Sequence, residues 1–390
     1  MPAITNCVTF VTIRKTAESV VDAQLMHDGK ERHMNLTRRE ALALLAAAGG
    51  AGVLSGCSGA DGGHAASQTS LAPSKGYAKN SSADLPIYQA KGRDLIGNLG
   101  PFDKVTQSRE VKGRVEQLTY ETHSYVWEEE HSGQEFMVQK SINVWLPADY
   151  DPMQTYDVLY LLHGTGHEGV GYWLTDEPDC HGSQTRGLLD GMVADGLIGN
   201  VIVATPSYYS FPAGEEPQEI MDWHIDPLAD KWPKLFWREL RESVIPLVES
   251  TYPTHASGNV SEESLVASRD HRAFAGLSRG SMTSVNSTML HCLDLFGWIG
   301  SYSGVWADFD EFRSTLEGQF ANYPVRYWYN GNGSKDFSLQ NHAEFRDNVL
   351  GQMPDRFVDG QNYAWIEFPG GDHAYDCWAL DLYNSLLAFF

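Results

Sequence analysis

Five short apolar runs, each closed by glycine or another turn former, constrain the fold of this 390-residue chain most. They are "YDVLYLLHGTG" (156–166), "NVIVATP" (200–206), "RAFAGLS" (272–278), "VRYWYNGNG" (325–333) and "YAWIEFPGG" (363–371). Their apolar residues run on continuously, as in strands covered on both faces rather than half in water. Between and beside them, 185–197, 234–252, 279–293, 309–319 and 339–350 carry helical period. Strand alternating with helix is the signature of a mostly parallel central sheet flanked by helices. Upstream, "FMVQKSINVWLPADYD" (136–151) alternates and stops at proline, which predicts a β-rich N-terminal start to the same unit. The segments 207–233 and 253–270 read as loop insertions.

The amino terminus has a different composition. "MNLTRREALALLAAAGGAGVLSGC" (34–57) sets Arg38 and Arg39 before an Ala-rich apolar run. The run is about 14 residues, shorter than the roughly 20 that a spanning helix needs, which favours a cleaved export signal. Thr37 to Leu42 resembles a twin-arginine signal, and Leu54-Ser55-Gly56-Cys57 resembles the lipobox of bacterial lipoproteins, which implies lipidation at Cys57. Met34 stands just upstream, so residues 1–33 read as a mis-assigned translational start. A linker follows over 58–77, rich in Gly, Ser and Ala. The expected organisation is therefore an export signal and lipobox over 1–57, the linker, and one α/β domain over 78–390. Its expected location is extracytoplasmic, lipid-anchored to the bacterial cell membrane or secreted.

Charge narrows the partners. Residues 1–57 hold six basic and five acidic side chains, which leaves 22 basic against 46 acidic in the remainder, a formal charge of −24. Phosphate backbones and anionic head groups repel such a surface, so no nucleic acid is expected and membrane contact comes only through the lipid. Beyond Cys7 and Cys57 three cysteines remain, Cys180, Cys292 and Cys377, an odd number that permits at most one internal disulfide.

Gly276-Leu277-Ser278-Arg279-Gly280 falls where the run "RAFAG" meets a helical stretch. That is the setting of a nucleophile elbow, in which a sharp strand-to-helix turn lifts a serine above the sheet. The backbone N–H of Arg279 then becomes one donor to an oxyanion. "LLHGTGHEG" supplies the other, from Thr165 with Gly166 next. Of 14 histidines, His373 in "FPGGDHAYDCW" has the context of a general base, after the last strand and before the final helix. Asp336 in "YWYNGNGSKDFS" is the acid expected to orient it, which keeps the order Ser, acid, His. Asp308 and Asp310, just after the strand "FGWIGSYSG", are the fallback acids, and Asp372 is too close in sequence to reach the ring of His373.

"INVWLPADYD", "VLYLLHGTG", "LRESVIPLVESTYPT", "RAFAGLSRGS" and "PGGDHAYDCW" together resemble the putative-esterase family of α/β-hydrolases, in particular the carbohydrate-esterase group that contains feruloyl esterases. The resemblance implies an α/β-hydrolase fold, cleavage of carboxylic esters by a Ser-His-Asp triad on Ser278, His373 and Asp336, and no cofactor. Arg279 departs from the methionine often found after that serine, which bears on acyl preference.

The chain has 11 tryptophans, and flat aromatics suit sugars and phenolic rings. Trp306, Trp173 and Trp378, with Trp223, fall in segments expected near the strand ends, Trp306 being the best placed. His163, His167, Cys180 and His181 lie close in sequence, but in a glycine-rich loop rather than at helical spacing, so no metal is assigned. The expected activity is release of ferulic or related hydroxycinnamic acids from plant carbohydrate esters. The competing readings are an acetyl xylan esterase, a mycolyltransferase-like acyltransferase and a non-catalytic binding lipoprotein.

Overall fold

A computed structural model describes residues 94–166, 169–211 and 229–390, together with two strands near the amino terminus. The chain divides into two compact units, Met1–Leu71 and Ala72–Phe390. In the first, β1 (Val20–His27) pairs antiparallel with β2 (Lys30–Thr37). The twin arginines, the lipobox with Cys57 and the linker 58–77 lie outside the described residues, as does Trp223.

The second unit is built on β3 (Arg114–His123), β4 (Met137–Leu146), β5 (Asp157–Leu162), β6 (Val201–Thr205), β7 (Arg272–Leu277), β8 (Trp298–Tyr302), β9 (Tyr327–Gly333) and β10 (Tyr363–Phe368). They form one eight-stranded sheet in the order β10-β9-β8-β7-β5-β6-β4-β3. Pairing is parallel from β6 to β10, while β3 and β4 form the antiparallel, β-rich start. This is the α/β-hydrolase architecture, with a mostly parallel sheet between helices.

The continuous apolar runs follow from that placement. On β5, Val158, Tyr160 and Leu162 join the core on one face of the sheet, while Leu159 and Leu161 join the core on the other. On β7, Phe274 faces one way and Ala273, Ala275 and Leu277 the other. Each such aliphatic side chain removed from water contributes about 1.5–3 kcal/mol, so a polar residue on either face would be costly. β3, at the edge, alternates half-buried and exposed positions over most of its length instead, and for that reason it gave no continuous signal.

Two helical expectations are refined. The helix expected over 234–252 is Lys231–Glu239, a π turn at Leu240–Val244 and Ile245–Thr251. Pro246 has no N–H to donate to the preceding turn, and the helix widens there. The segment 253–270, expected to be loop, contains the helix Glu262–Ala267, capped by Ser261, whose Oγ accepts from Ser264 N at 3.4 Å. Six residues are too few to show a period.

Candidate active site

Ser278 lies between β7 and the helix Arg279–Thr283 with φ +53° and ψ −113°, a conformation that L residues rarely adopt. The flanking glycines make the turn sterically possible. A Cβ on Gly276 would fall 2.5 Å from the carbonyl carbon of Gly280, and one on Gly280 would fall 2.6 Å from the carbonyl oxygen of His163. The turn therefore packs backbone on backbone, and Ser278 N donates to Tyr302 O at 2.8 Å.

The loop after β5 approaches from the neighbouring strand. A Cβ on Gly164 would lie 3.1 Å from Ser278 Cβ, so the predicted oxyanion loop borders the serine. The Gly164 carbonyl is held by two donors, His163 Nδ1 at 2.6 Å and the Tyr208 hydroxyl at 2.5 Å. In a trans peptide the following N–H points opposite to that carbonyl, so pinning Gly164 O fixes the direction of Thr165 N–H. Because Nδ1 is then the donor, Nε2 of the neutral ring accepts from Ser207 Oγ at 2.8 Å. Burial pushes the His163 pKa down to about 4, against the hydrogen bond to Gly164 that raises it. With both nitrogens engaged, His163 is a support for the loop. Tyr208 and Ser207 gave no sequence signal, since they lie in a segment read only as an insertion.

Asp336 and His373 meet as predicted. His373 Nδ1 lies 2.9 and 3.0 Å from the two oxygens of Asp336, whose side chain is wholly buried. Ser338 N and Ser338 Oγ donate to the same carboxylate at 2.8 and 2.7 Å. Burial alone would raise the Asp336 pKa, but the hydrogen bond and charge of His373, with bonds from Ser303 and Ser338, outweigh it and hold the group below its ordinary value. Ser303 in turn accepts from Trp378 Nε1 at 2.7 Å. The fallback acids are engaged elsewhere: Asp308 caps the helix Phe309–Glu317 and Asp310 pairs with Arg313 on the surface. Among the described residues no hydrogen bond joins Ser278 to His373; their link runs through β8, where Tyr302 O holds Ser278 and the adjacent Ser303 holds Asp336.

The aromatic expectations separate. Trp173 is 1% exposed and donates Nε1 to Leu162 O at 3.2 Å, so it is a core residue behind the oxyanion loop and is withdrawn as a substrate contact. Trp378 is also buried and meets the His373 ring edge-on at 5.0 Å, as a wall rather than a platform. Trp306 is half-buried and borders a cleft with Lys234 and Asn286. The aromatic that sequence reading passed over is Phe337: it is 62% exposed, 4.4 Å from the His373 ring and 6.5 Å from Trp306. Its signal was its position, next to the acid.

Arg279 turns its buried side chain away to Ala229 O and lies 3.5 Å from Asp230, so its charge anchors the start of the helix Lys231–Glu239. Cys292 and Cys377 are buried free thiols. His181 stacks on Tyr375 at 3.8 Å, and His167 lies outside the described residues.

Comparison with known proteins agrees with this fold. Over 165 residues the chain is 31% identical to endo-1,4-beta-xylanase Y of Acetivibrio thermocellus, a match that takes in 42% of this chain and 13% of that much longer protein. Among solved structures, a serine-to-alanine mutant of the feruloyl esterase module from Clostridium thermocellum, complexed with sinapinate, superposes with a TM-score of 0.58 at 22% identity. That match covers 78% of this chain and 96% of the module. A ferulic acid esterase from Anaeromyces mucronatus in complex with ferulic acid gives 0.56 at 22%, over 76% and 97%. At such identities the likeness speaks for the fold. The Putative esterase family model matches residues 134–389, more than half of the chain and every residue of the site built above, and the chain belongs to that family.

Proposed function

We propose that this protein is an extracytoplasmic serine carboxylic-ester hydrolase that releases ferulic or related hydroxycinnamic acids from plant carbohydrate esters. The observation that carries the reading is the presence, in one fold, of a strained serine at a strand-to-helix turn and of a His373 ring held at Nδ1 by buried Asp336. In the mechanism, His373 Nε2 takes the proton of Ser278, whose Oγ attacks the ester carbonyl. The N–H groups of Arg279 and Thr165, with Gly166 next along, hold the negative charge that develops on the carbonyl oxygen. His373 then protonates the leaving alcohol, and water, deprotonated by the same base, releases the acid from the acyl-enzyme. Asp336 keeps the ring in the required tautomer and stabilises the imidazolium. No step calls for a cofactor.

Two features support an aromatic acyl group: the exposed ring of Phe337 beside His373, and the feruloyl esterases among the structural relatives. Export and lipid attachment at Cys57 rest on the twin-arginine and lipobox patterns. A polymeric substrate that cannot enter the cell suits an enzyme placed outside it.

Hydrolysis of methyl ferulate, p-nitrophenyl acetate and acetylated xylan, each with Ser278→Ala as control, tests the reading. Cleavage of ferulate that the variant loses while still folded is the expected result. Activity on acetyl esters alone would move the substrate to acetyl xylan. A new acylated sugar, formed when a sugar acceptor is supplied, would make the reaction transfer. Silence of both proteins toward every ester would leave a binding lipoprotein.

A further inference from the structure

At the opposite end of the sheet from Ser278, three potential ligands converge from separate segments. Asp157 opens β5, His271 immediately precedes β7, and His255 lies in the turn after the helix Ile245–Thr251. Asp157 Oδ1 is 2.7 Å from His271 Nδ1 and 3.5 Å from His255 Nε2. One ligand atom from each residue lies within 4.8 Å of the others. We propose that Asp157, His255 and His271 form a binding site for a divalent transition metal ion, zinc being the ion that the ligands suit best.

The spacing is close to what coordination requires. Two ligands bound to zinc at about 2.0–2.1 Å in a tetrahedron lie roughly 3.3 Å apart, so side-chain rotations that tilt the two imidazoles toward a common point separate the observed contacts from a bound set. Two imidazoles and a carboxylate are a donor set that zinc accepts readily, with a fourth position left for water.

The two rings converge on the same carboxylate. The two imidazoles lie face to face, 3.4 Å between centroids and 3° from parallel. Aromatic pairs avoid that full sandwich in favour of offset or edge-on packing. Here both rings direct a nitrogen to one carboxylate oxygen, and because an imidazole lone pair lies in its ring plane, a shared ion would tilt the two planes toward each other out of the sandwich.

The backbone holds the ligands in place independently of any ion. Asp157 N donates to Asn200 O at 2.9 Å, Tyr156 N to Pro253 O at 2.9 Å, and His271 N to Ser268 O at 3.0 Å. Tyr156 also forms a bridge with Thr254, next to His255. Nearby Glu249 is committed to Arg272, so it is not a fourth ligand. All three side chains are partly exposed, which gives an ion a path from solvent.

Asp157 and the oxyanion loop are separated by the length of β5, roughly 17 Å at 3.3 Å per residue. An ion there would fasten the 253–257 turn to the bases of β5 and β7, and it would act on the stability of the fold rather than on the ester.

The test uses the full chain without a histidine tag, freed of metal by chelation and titrated with zinc chloride by calorimetry. Cobalt chloride serves as a spectroscopic probe through its visible absorption. The expected result is one zinc per chain, a raised Tm, and a cobalt spectrum of tetrahedral type. His271→Gln and His255→Gln, each made separately, should weaken binding by more than the ~10–100-fold that loss of an outer-shell partner causes, with ester hydrolysis unchanged. Asp157→Asn, which keeps an acceptor but removes the charge, should weaken it too. Absence of zinc binding to the wild type would overturn the proposal. So would binding that survives in the His255→Gln, His271→Gln double variant, because the ion would then sit elsewhere on the chain.

Discussion

Asp336 presents both carboxylate oxygens to His373 Nδ1, at 2.9 and 3.0 Å, from a position with no side-chain exposure. A buried carboxylate is costly unless its lone pairs are filled, and here His373, Ser338 and Ser303 fill them. Asp336→Asn keeps the shape but offers an N–H where the ring needs an acceptor, so the imidazole favours the wrong tautomer. We expect kcat on methyl ferulate to fall by about 10⁴ while KM moves little. The same carboxylate contributes to stability. Its pKa is below the unfolded value, so its contribution is full above about pH 4 and is lost as pH falls through the lower folded value. Acid unfolding curves of wild type and variant should therefore converge at low pH.

Tyr208→Phe deletes one of the two bonds to the Gly164 carbonyl without changing the shape of the side chain. A freer peptide lets Thr165 N–H wander from the oxyanion. Since that donor acts chiefly in the transition state, kcat should drop by about tenfold, with KM nearly constant. Steady-state kinetics on p-nitrophenyl acetate and methyl ferulate should show the same factor, because the carbonyl is common to both.

Phe337→Ala should behave in the opposite way. The ring is exposed, so its removal should change stability by less than about 0.5 kcal/mol. Lost stacking on a hydroxycinnamoyl group should raise KM for methyl ferulate several-fold and leave p-nitrophenyl acetate untouched. Equal effects on both esters would show that Phe337 supports His373 rather than the substrate.

Two buried histidines set a pH window for stability. Burial lowers the pKa of His163 to about 4 and of His342 to about 3, both from an ordinary 6.5. Between those values and 6.5 the unfolded chain binds more protons than the folded one. Stability is full above about pH 6.5 and declines as pH falls toward 4. At roughly 1.4 kcal/mol for each unit of pKa, His163 accounts for about 3 kcal/mol of that decline. Urea unfolding at pH 7.0 and 5.0 should give a smaller difference for His163→Gln than for the wild type.

The sequence determined the mostly parallel sheet, and it singled out Ser278, His373 and Asp336 as the candidate triad. Those are properties of period and of short-range turn chemistry: strands buried on two faces must be continuously apolar, and a serine lifted on a sharp turn must have glycines beside it. Tertiary structure decided what depends on packing between distant segments. Trp173 fills the core behind the oxyanion loop instead of meeting substrate, Phe337 stands beside His373, and Tyr208 reaches 44 residues back to Gly164. The cluster of Asp157, His255 and His271 is of the same kind. Its members are scattered along the chain: the parallel pairing of β5 with β7 sets Asp157 beside His271, and the bridge from Tyr156 to Thr254 brings His255 to the same point.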